Sequence, residues 1–246
     1  MRRFFINPDN IHDDTALITG DEARHIYNVL RLGANDMLQF FDSSGTTYTA
    51  SILSARTGEI RVRVLSVQPA DQRDIPDVIL CQALPKSGKM DSIVQKSTEL
   101  GVSAIIPFCC TRSIPRWDRN KSIQKREHWQ RIAISAVKQS GIRPVPPVEP
   151  IISFSDLCRR DFSSFVKVVL WENETEKNIR QVLSEQTAQK NFVFAVGPEG
   201  GFTDDEIGMA RSNGFEPAGL GKAILRTETV PVAVLSILGY EHGTFG

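Results

Sequence analysis

Phe192-Val-Phe-Ala-Val-Gly-Pro-Glu-Gly-Gly-Phe-Thr-Asp-Asp-Glu206 is the stretch that decides the fold. Its first five residues are apolar without alternation, which reads as a strand buried on both faces, and Asp204 onward reads as a helix. Gly197, Gly200 and Gly201 strip the side chains from the loop between them, while Thr203 and Glu206 form a capping box for the helix start. Asp204 and Asp205 stand where the helix dipole favours negative charge, so these acids have a structural explanation. The glycines have two readings. They make a tight strand-to-helix turn, or they expose backbone amides and carbonyls to a flat ligand at the carboxyl end of a strand. The loop lacks both the Gly-Lys-Ser/Thr ending of a P-loop and the GxGxxG spacing of a dinucleotide turn, and that fingerprint occurs nowhere else in the chain. Acids crowding the helix start repel phosphate and tolerate a ligand with a cationic centre.

Outward from this stretch, strand-like runs alternate with helical patterns from Asp77 to the end. The strands are 78–83, 102–108, 166–171 and 192–196; the helices are 90–100, 122–139, 178–186, 204–212 and 230–242. Such alternation predicts an α/β domain with a mainly parallel sheet, whose ligands bind at the carboxyl ends of the strands. A second loop, Gly219-Leu-Gly-Lys-Ala-Ile-Leu-Arg-Thr-Glu-Thr-Val-Pro231, again joins a short strand to a helix. Thr227 or Thr229 can cap that helix, with Pro231 harmless in its first turn. Leu220, Ala223, Ile224 and Leu225 make an apolar loop able to wrap an adenine ring. Arg226 and Glu228 read as a local salt bridge or as part of a ligand site. Two such loops in one sheet domain favour the ligand site.

Residues 1 to about 70 read as a small β unit with one helix. Thr19 and Glu22 form another capping-box signature, and Gly33 is placed to end the helix. Strands are predicted over 37–41, 46–53 and 60–67, the last alternating Ile60, Val62 and Val64 with Arg61 and Arg63. A compact barrel is the expected product. Gln68 to Ile75-Pro76 is polar and aperiodic, a candidate linker.

The formal net charge is zero, but the charge is uneven: residues 112–143 carry nine Lys or Arg against Asp118 and Glu127, and residues 144–246 are net acidic. Composition alone therefore names no acidic partner, while one segment does. The 41% hydrophobic and 24% charged residues exclude wholesale disorder. Cys81, Cys109, Cys110 and Cys158 form no CxxC and have no histidine at ligand spacing, so neither a disulfide scaffold nor a metal site is indicated. Met1-Arg-Arg-Phe-Phe-Ile-Asn-Pro8 turns polar too soon for a secretion signal, and the apolar run near Val230 to Leu238 is too short to span a bilayer. A cytoplasmic location without membrane contact is the expectation.

Gly197-Pro-Glu-Gly-Gly-Phe-Thr203, Leu220-Gly-Lys-Ala-Ile-Leu-Arg-Thr-Glu-Thr229, Glu99-Leu-Gly-Val102, Thr111-Arg-Ser113 and Lys138-Gln-Ser-Gly-Ile-Arg143 stand in order along the chain. Together they resemble the bacterial small-subunit ribosomal RNA uridine-N3 methyltransferases of the SPOUT, or trefoil-knot, superfamily. His25-Ile-Tyr-Asn-Val-Leu-Arg31 resembles the PUA-like domain of the same family. Val230-Pro231 departs from it, since a small residue is expected after Thr229.

The resemblance implies a PUA-like β-barrel RNA-binding domain over 1–72 and a SPOUT α/β domain with a C-terminal knot over 73–246. It further implies S-adenosylmethionine as cofactor, 16S ribosomal RNA or the small ribosomal subunit as partner, and a homodimer. By position, the cofactor contacts are Leu170, Gly197, Pro198, Glu199, Gly200, Gly201, Leu220, Gly221, Ala223, Ile224 and Leu225, with Lys222 solvated. Arg112, Arg143 and Arg226 are candidates for stabilising negative charge on a uracil ring, and Glu199 and Glu228 for removing its proton. RNA contacts are expected from Arg2, Arg3, Arg31, Arg112, Arg116, Lys138 and Arg143. Trp129 reads as core, and Trp117 as core or as a surface for stacking a base. Another RNA target, or an RNA-binding assembly factor without catalysis, stands as the alternative.

Overall fold

The computed structural model describes residues 3–70, 76–86, 88–114, 117–141, 144–185 and 191–243. The chain divides into two compact units: residues 1–72 with 137–145, and residues 73–136 with 146–246.

The first unit contains strands β1 (Arg3–Phe5), β2 (Ile11–His12) and β3 (Thr15–Thr19), then helix α1 (Gly20–Arg24), which runs on through a π-helical turn over His25–Val29. Strands β4 (Met37–Phe41), β5 (Thr47–Arg56) and β6 (Glu59–Gln68) follow. They form one six-stranded sheet in the order β1-β4-β5-β6-β3-β2, antiparallel except for the parallel β1–β4 pair. The alternation read in β6 holds: Ile60 and Val62 are buried while Arg61 and Arg63 face water. Phe4, Ile18, Leu38, Phe40, Ile52 and Ile60 meet Ala23 and Ile26 of the helical segment in one core. Each large side chain so buried contributes roughly 1.5–3 kcal/mol.

Two local expectations fail here for physical reasons. Thr19 makes no capping hydrogen bond; it ends β3, paired with Glu59, and the Glu22 carboxylate is engaged by the Lys138 ammonium. A charged donor outcompetes a backbone amide for a carboxylate. The helical backbone also stops at Val29, and Arg31, at φ +57°, makes the turn expected of Gly33.

The second unit alternates as the sequence predicts. Strand β7 (Val78–Ala83) leads into α2 (Lys89–Glu99), and β8 (Ala104–Cys109) into α3 (Arg119–Ser140). Then come β9 (Ile152–Ser153), α4 (Phe154–Arg159), β10 (Val166–Leu170), α5 (Ile179–Glu185), β11 (Phe192–Val196), α6 (Asp204–Ser212), β12 (Glu216–Ala218) and α7 (Val230–Glu241). β9 and α4 were not anticipated: a two-residue strand and a six-residue helix are too short to show a period. The sheet order is β12-β10-β11-β7-β8-β9, with every pair parallel. Because the strands are parallel, all their carboxyl ends open on one edge, and β7 and β11 lie side by side at its centre. All five residues of β11 are buried, which is why its run shows no alternation. Behind that edge Phe202 packs between Phe108 and Phe154, with ring centroids at 6.2 and 5.1 Å.

Candidate active site

A cleft of about 380 Å³ opens at the carboxyl ends of β10, β11 and β12. Its wall includes Leu170, Val196, the glycine loop and the whole run from Leu220 to Thr227, which places that second loop opposite the first. The volume and the mixture of apolar side chains with exposed backbone suit a nucleoside-sized ligand.

The glycine loop is held from several directions. Thr203 and Glu206 form the capping box read from the sequence: Glu206 N–H donates to Thr203 Oγ1 (3.2 Å) and Thr203 N–H to Glu206 Oε2 (2.9 Å). Glu206, buried at 6% exposure, does more than cap, because its Oε1 also accepts from the Thr111 amide at 2.8 Å. That bond fixes the turn carrying Arg112, whose guanidinium donates to the carbonyls of Gly200 (2.6 Å) and Phe202 (3.2 Å). The protein's own side chains crowd the glycines. A Cβ on Gly200 would sit 3.3 Å from Arg112 Cβ. One on Gly201, at φ +67°, would fall 1.8 Å from Glu172 Oε1.

Thr227 ties the two loops together. Its buried hydroxyl donates to the Gly197 carbonyl at 2.6 Å, so it accepts from Gln82 Nε2 at 3.0 Å. Gln82 is fully buried and its Nε2 also donates to the Ala83 carbonyl at 3.0 Å. The helix after the second loop is thus not capped by Thr227, and Thr229, at its N-cap position, makes no side-chain cap bond.

Glu199 and Glu228 converge on a lysine that sequence reading overlooked. Lys89, at the start of α2, lies 3.0 Å from Glu199 Oε1 and 3.1 Å from Glu228 Oε2; the latter contact is an ion pair outside hydrogen-bonding angles. The Lys86 amide also donates to Glu199, at 3.1 Å. Burial would raise the Glu199 carboxyl, but its own backbone amide, Lys89 and Lys86 outweigh it and hold it below the ordinary carboxylate range. Glu228 is held low in the same way: burial opposes, and its backbone amide, Lys89 and Arg226 prevail. Their two carboxylates in turn push Lys89 above the usual lysine value.

The Arg226–Glu228 salt bridge read as one alternative is absent: Glu228 pairs with Lys89 instead. The Arg226 side chain, exposed in the cleft wall, has no hydrogen bond or ion pair among the described residues. Gly221, Lys222, Ala223 and Ile224 are exposed, Ile224 at 82%. Leu170, Gly197, Pro198, Glu199, Gly201, Leu220, Gly221, Ala223, Ile224 and Leu225 all line this one cleft, whereas Gly200 stands behind its wall against Arg112.

The basic segment is less concentrated. Arg2, Arg116 and Arg143 lie outside the described residues. Arg3 and Arg31 belong to the first unit, where Lys138 is engaged by Glu22. Trp129 is core, 1% exposed, and its Nε1 donates to Asp91 at 3.0 Å. Trp117 leans on it at 5.9 Å, with the Lys125 ammonium 5.7 Å from the Trp117 ring centroid.

Residues 72–239 match the RNA methyltransferase domain family, and residues 18–65 the RNA methyltransferase PUA domain family. A PUA-type β unit and a parallel α/β unit with a cleft at its strand ends thus define an RNA methyltransferase. More narrowly, the chain belongs to the ribosomal RNA small subunit methyltransferase E family. It is 33% identical to ribosomal RNA small subunit methyltransferase E of Bacillus subtilis, over 98% of this chain and 97% of that protein. The Neisseria gonorrhoeae enzyme of the same name, in a crystal structure bound to S-adenosyl methionine, superposes with a TM-score of 0.84 at 33% identity, covering 98% of both chains. A putative methyltransferase of Legionella pneumophila in complex with bound cofactor SAM superposes at 0.86 with 28% identity, covering 97% of both.

Proposed function

We propose that the protein uses S-adenosylmethionine to methylate N3 of a specific uridine in 16S ribosomal RNA. The observation that carries this reading is the cleft between the two loops, where Arg226 is a cation without a hydrogen bond or ion pair among the described residues, beside a wall of backbone and apolar groups. The residues fit the cofactor: Leu170, Val196, Leu220 and Leu225 can flank an adenine, and the loop backbones can supply its hydrogen bonds. When bound, the cofactor supplies an electrophilic sulfonium methyl.

The acceptor nitrogen must lose its proton, and charge then builds on the uracil oxygens as the new N–C bond forms. A cation beside the ring stabilises that charge, and Arg226, in the cleft wall, is the first candidate. Arg112 is the second candidate, with one of its guanidinium nitrogens already committed to the glycine loop, and Arg143 rests on the family resemblance alone. Glu199 and Glu228, held below the ordinary carboxylate range, are weak bases; the reading assigns them to fixing Lys89 and the two loops. Holding N3 in line with the methyl supplies much of the remaining acceleration.

In this reading residues 1–72 form an RNA-binding domain and residues 73–246 a knotted methyltransferase domain, working in the cytoplasm as a homodimer. The dimer is supported by α7, where Val232, Ala233 and Ile237 are only half-buried and Tyr240 is 78% exposed. Among the described residues no helix is long and apolar enough to cross a membrane. The test is tritiated-methyl transfer to small-subunit RNA, free and in the assembled subunit, with mass-spectrometric mapping of the product. A methyl on uridine N3 is expected. A methyl on another atom or RNA would overturn the specificity. Salt-dependent RNA binding without affinity for S-adenosylmethionine would mark an assembly factor instead.

A further inference from the structure

The charges lining the cleft fall into two groups. Lys89 and Glu199 are spent on one another and on Glu228. Glu172, Lys222 and Arg226 have no side-chain partner among the described residues. Lys222 and Arg226 ride on the exposed loop. Glu172 does not: it follows Trp171, whose amide donates to the Ala218 carbonyl at 3.1 Å, so its backbone is an extension of the sheet at the carboxyl end of β10.

The Glu172 carboxylate also lies against the glycine loop. It rests on the Cα side of Gly201, in the space a Cβ would fill, with Oε1 1.8 Å from that position. Glu172 lines the cleft, and its two carboxylate oxygens are acceptors without a bonded partner among the described residues. Two adjacent acceptors match two adjacent hydroxyl donors, and charge-assisted hydrogen bonds of this kind are about twice as strong as neutral ones. In open parallel sheets an acidic side chain at a strand's carboxyl end meets ribose hydroxyls by the same chemistry.

We propose that Glu172 binds the ribose diol of the cofactor's nucleoside, accepting from its two hydroxyls. The inference rests on the cofactor reading above and adds a residue that the sequence motifs did not mark. Glu172 is exposed, so replacing it leaves the fold intact.

Isothermal titration of the wild-type protein, Glu172→Gln and Glu172→Ala decides it, with S-adenosylmethionine, 5′-methylthioadenosine and 2′-deoxy-5′-methylthioadenosine as ligands. Methylthioadenosine keeps the diol and lacks the amino-acid tail. Glu172→Ala is expected to weaken both diol ligands alike, by about tenfold to a hundredfold, and Glu172→Gln by less. The deoxy ligand keeps its 3′-hydroxyl, so Glu172→Ala should still weaken it, but by a smaller factor than either diol ligand; an equal factor for the diol and deoxy ligands would remove the 2′-hydroxyl from the assignment. Weakened S-adenosylmethionine binding with unchanged methylthioadenosine binding would put the carboxylate on the amino-acid tail and overturn the ribose assignment. Unchanged affinity for both would overturn any contact. If the wild type itself bound no S-adenosylmethionine, the cofactor reading would fall, and this inference with it.

Discussion

The two loops that face each other across the cleft are built oppositely. The loop after β11 is bonded along its length: Arg112 to Gly200 and Phe202, Lys86 and Lys89 to Glu199, Thr227 to Gly197, and Phe202 sunk into the aromatic core. The loop after β12 is held at its two ends, where Gly219 N–H donates to the Lys177 carbonyl and Arg226 C=O accepts from Thr229. Between them, residues 220–225 make no hydrogen bond among the described residues; Ala223 and Ile224 are exposed, and Leu220 and Leu225 half-buried. One wall is thus braced by the protein's own bonds along its length, and the other at its ends. Substitutions in the first should cost stability, and substitutions in the second should cost affinity alone.

The largest effect is expected from Phe202→Ala, which removes the anchor of the fixed loop from between Phe108 and Phe154. A cavity of that kind costs about 3–5 kcal/mol, read as a shift in the urea midpoint. Gly201→Val comes next. It forces a β-branched residue to φ +67° and evicts the Glu172 carboxylate, for about 2–3 kcal/mol of stability and a comparable loss of cofactor affinity by titration. A Gly201→Val variant that melted and bound like the wild type would show that this wall is as adaptable as the other.

Lys89→Met tests the charges that link the walls. Glu199 and Glu228 have folded pKa values below their unfolded ones, so the stability they contribute is present above the ordinary carboxylate pKa of about 4.3 and is lost as the pH falls through the lower folded values. Without Lys89 those values rise. The gap in melting temperature between wild type and variant should therefore be widest near neutrality and close in acid; a gap independent of pH would mean that Lys89 acts through packing alone. Glu206→Gln is smaller still. One amide oxygen replaces two carboxylate oxygens, so either the cap or the Thr111 bond is given up, at about 1 kcal/mol by denaturant titration.

Sequence legibility followed the same division between local and distant determinants. β7, β11 and α6 were read to the residue, because buried strands and a capping box are written in consecutive positions. The same Thr-x-x-Glu signature misled at Thr19, since Lys138, 116 positions from Glu22, took the carboxylate. The glycine loop was legible as a site, but the reason for its glycines was not. Arg112 and Glu172 come from other strand ends, and no local spacing announces them. Lys89 and Gln82 were missed for the same cause: each is ordinary in its own segment and acquires a role only when the parallel sheet brings the strand ends together.

The smallest change in the free protein is also the sharpest test of the contrast. Ile224 is 82% exposed, so Ile224→Ser removes no buried surface and should leave stability within about 0.5 kcal/mol. If the open loop closes over bound S-adenosylmethionine, the same side chain is taken out of water in the complex. Its loss then costs on the order of 1–2 kcal/mol of binding, about a fivefold to thirtyfold rise in Kd. Burial of apolar surface on closing also predicts a heat-capacity change of binding that is less negative in the variant. A cost in affinity without a cost in stability would separate the two walls by experiment. A Kd unchanged by Ile224→Ser would mean that the loop stays open over its ligand and that the fixed wall does the binding alone.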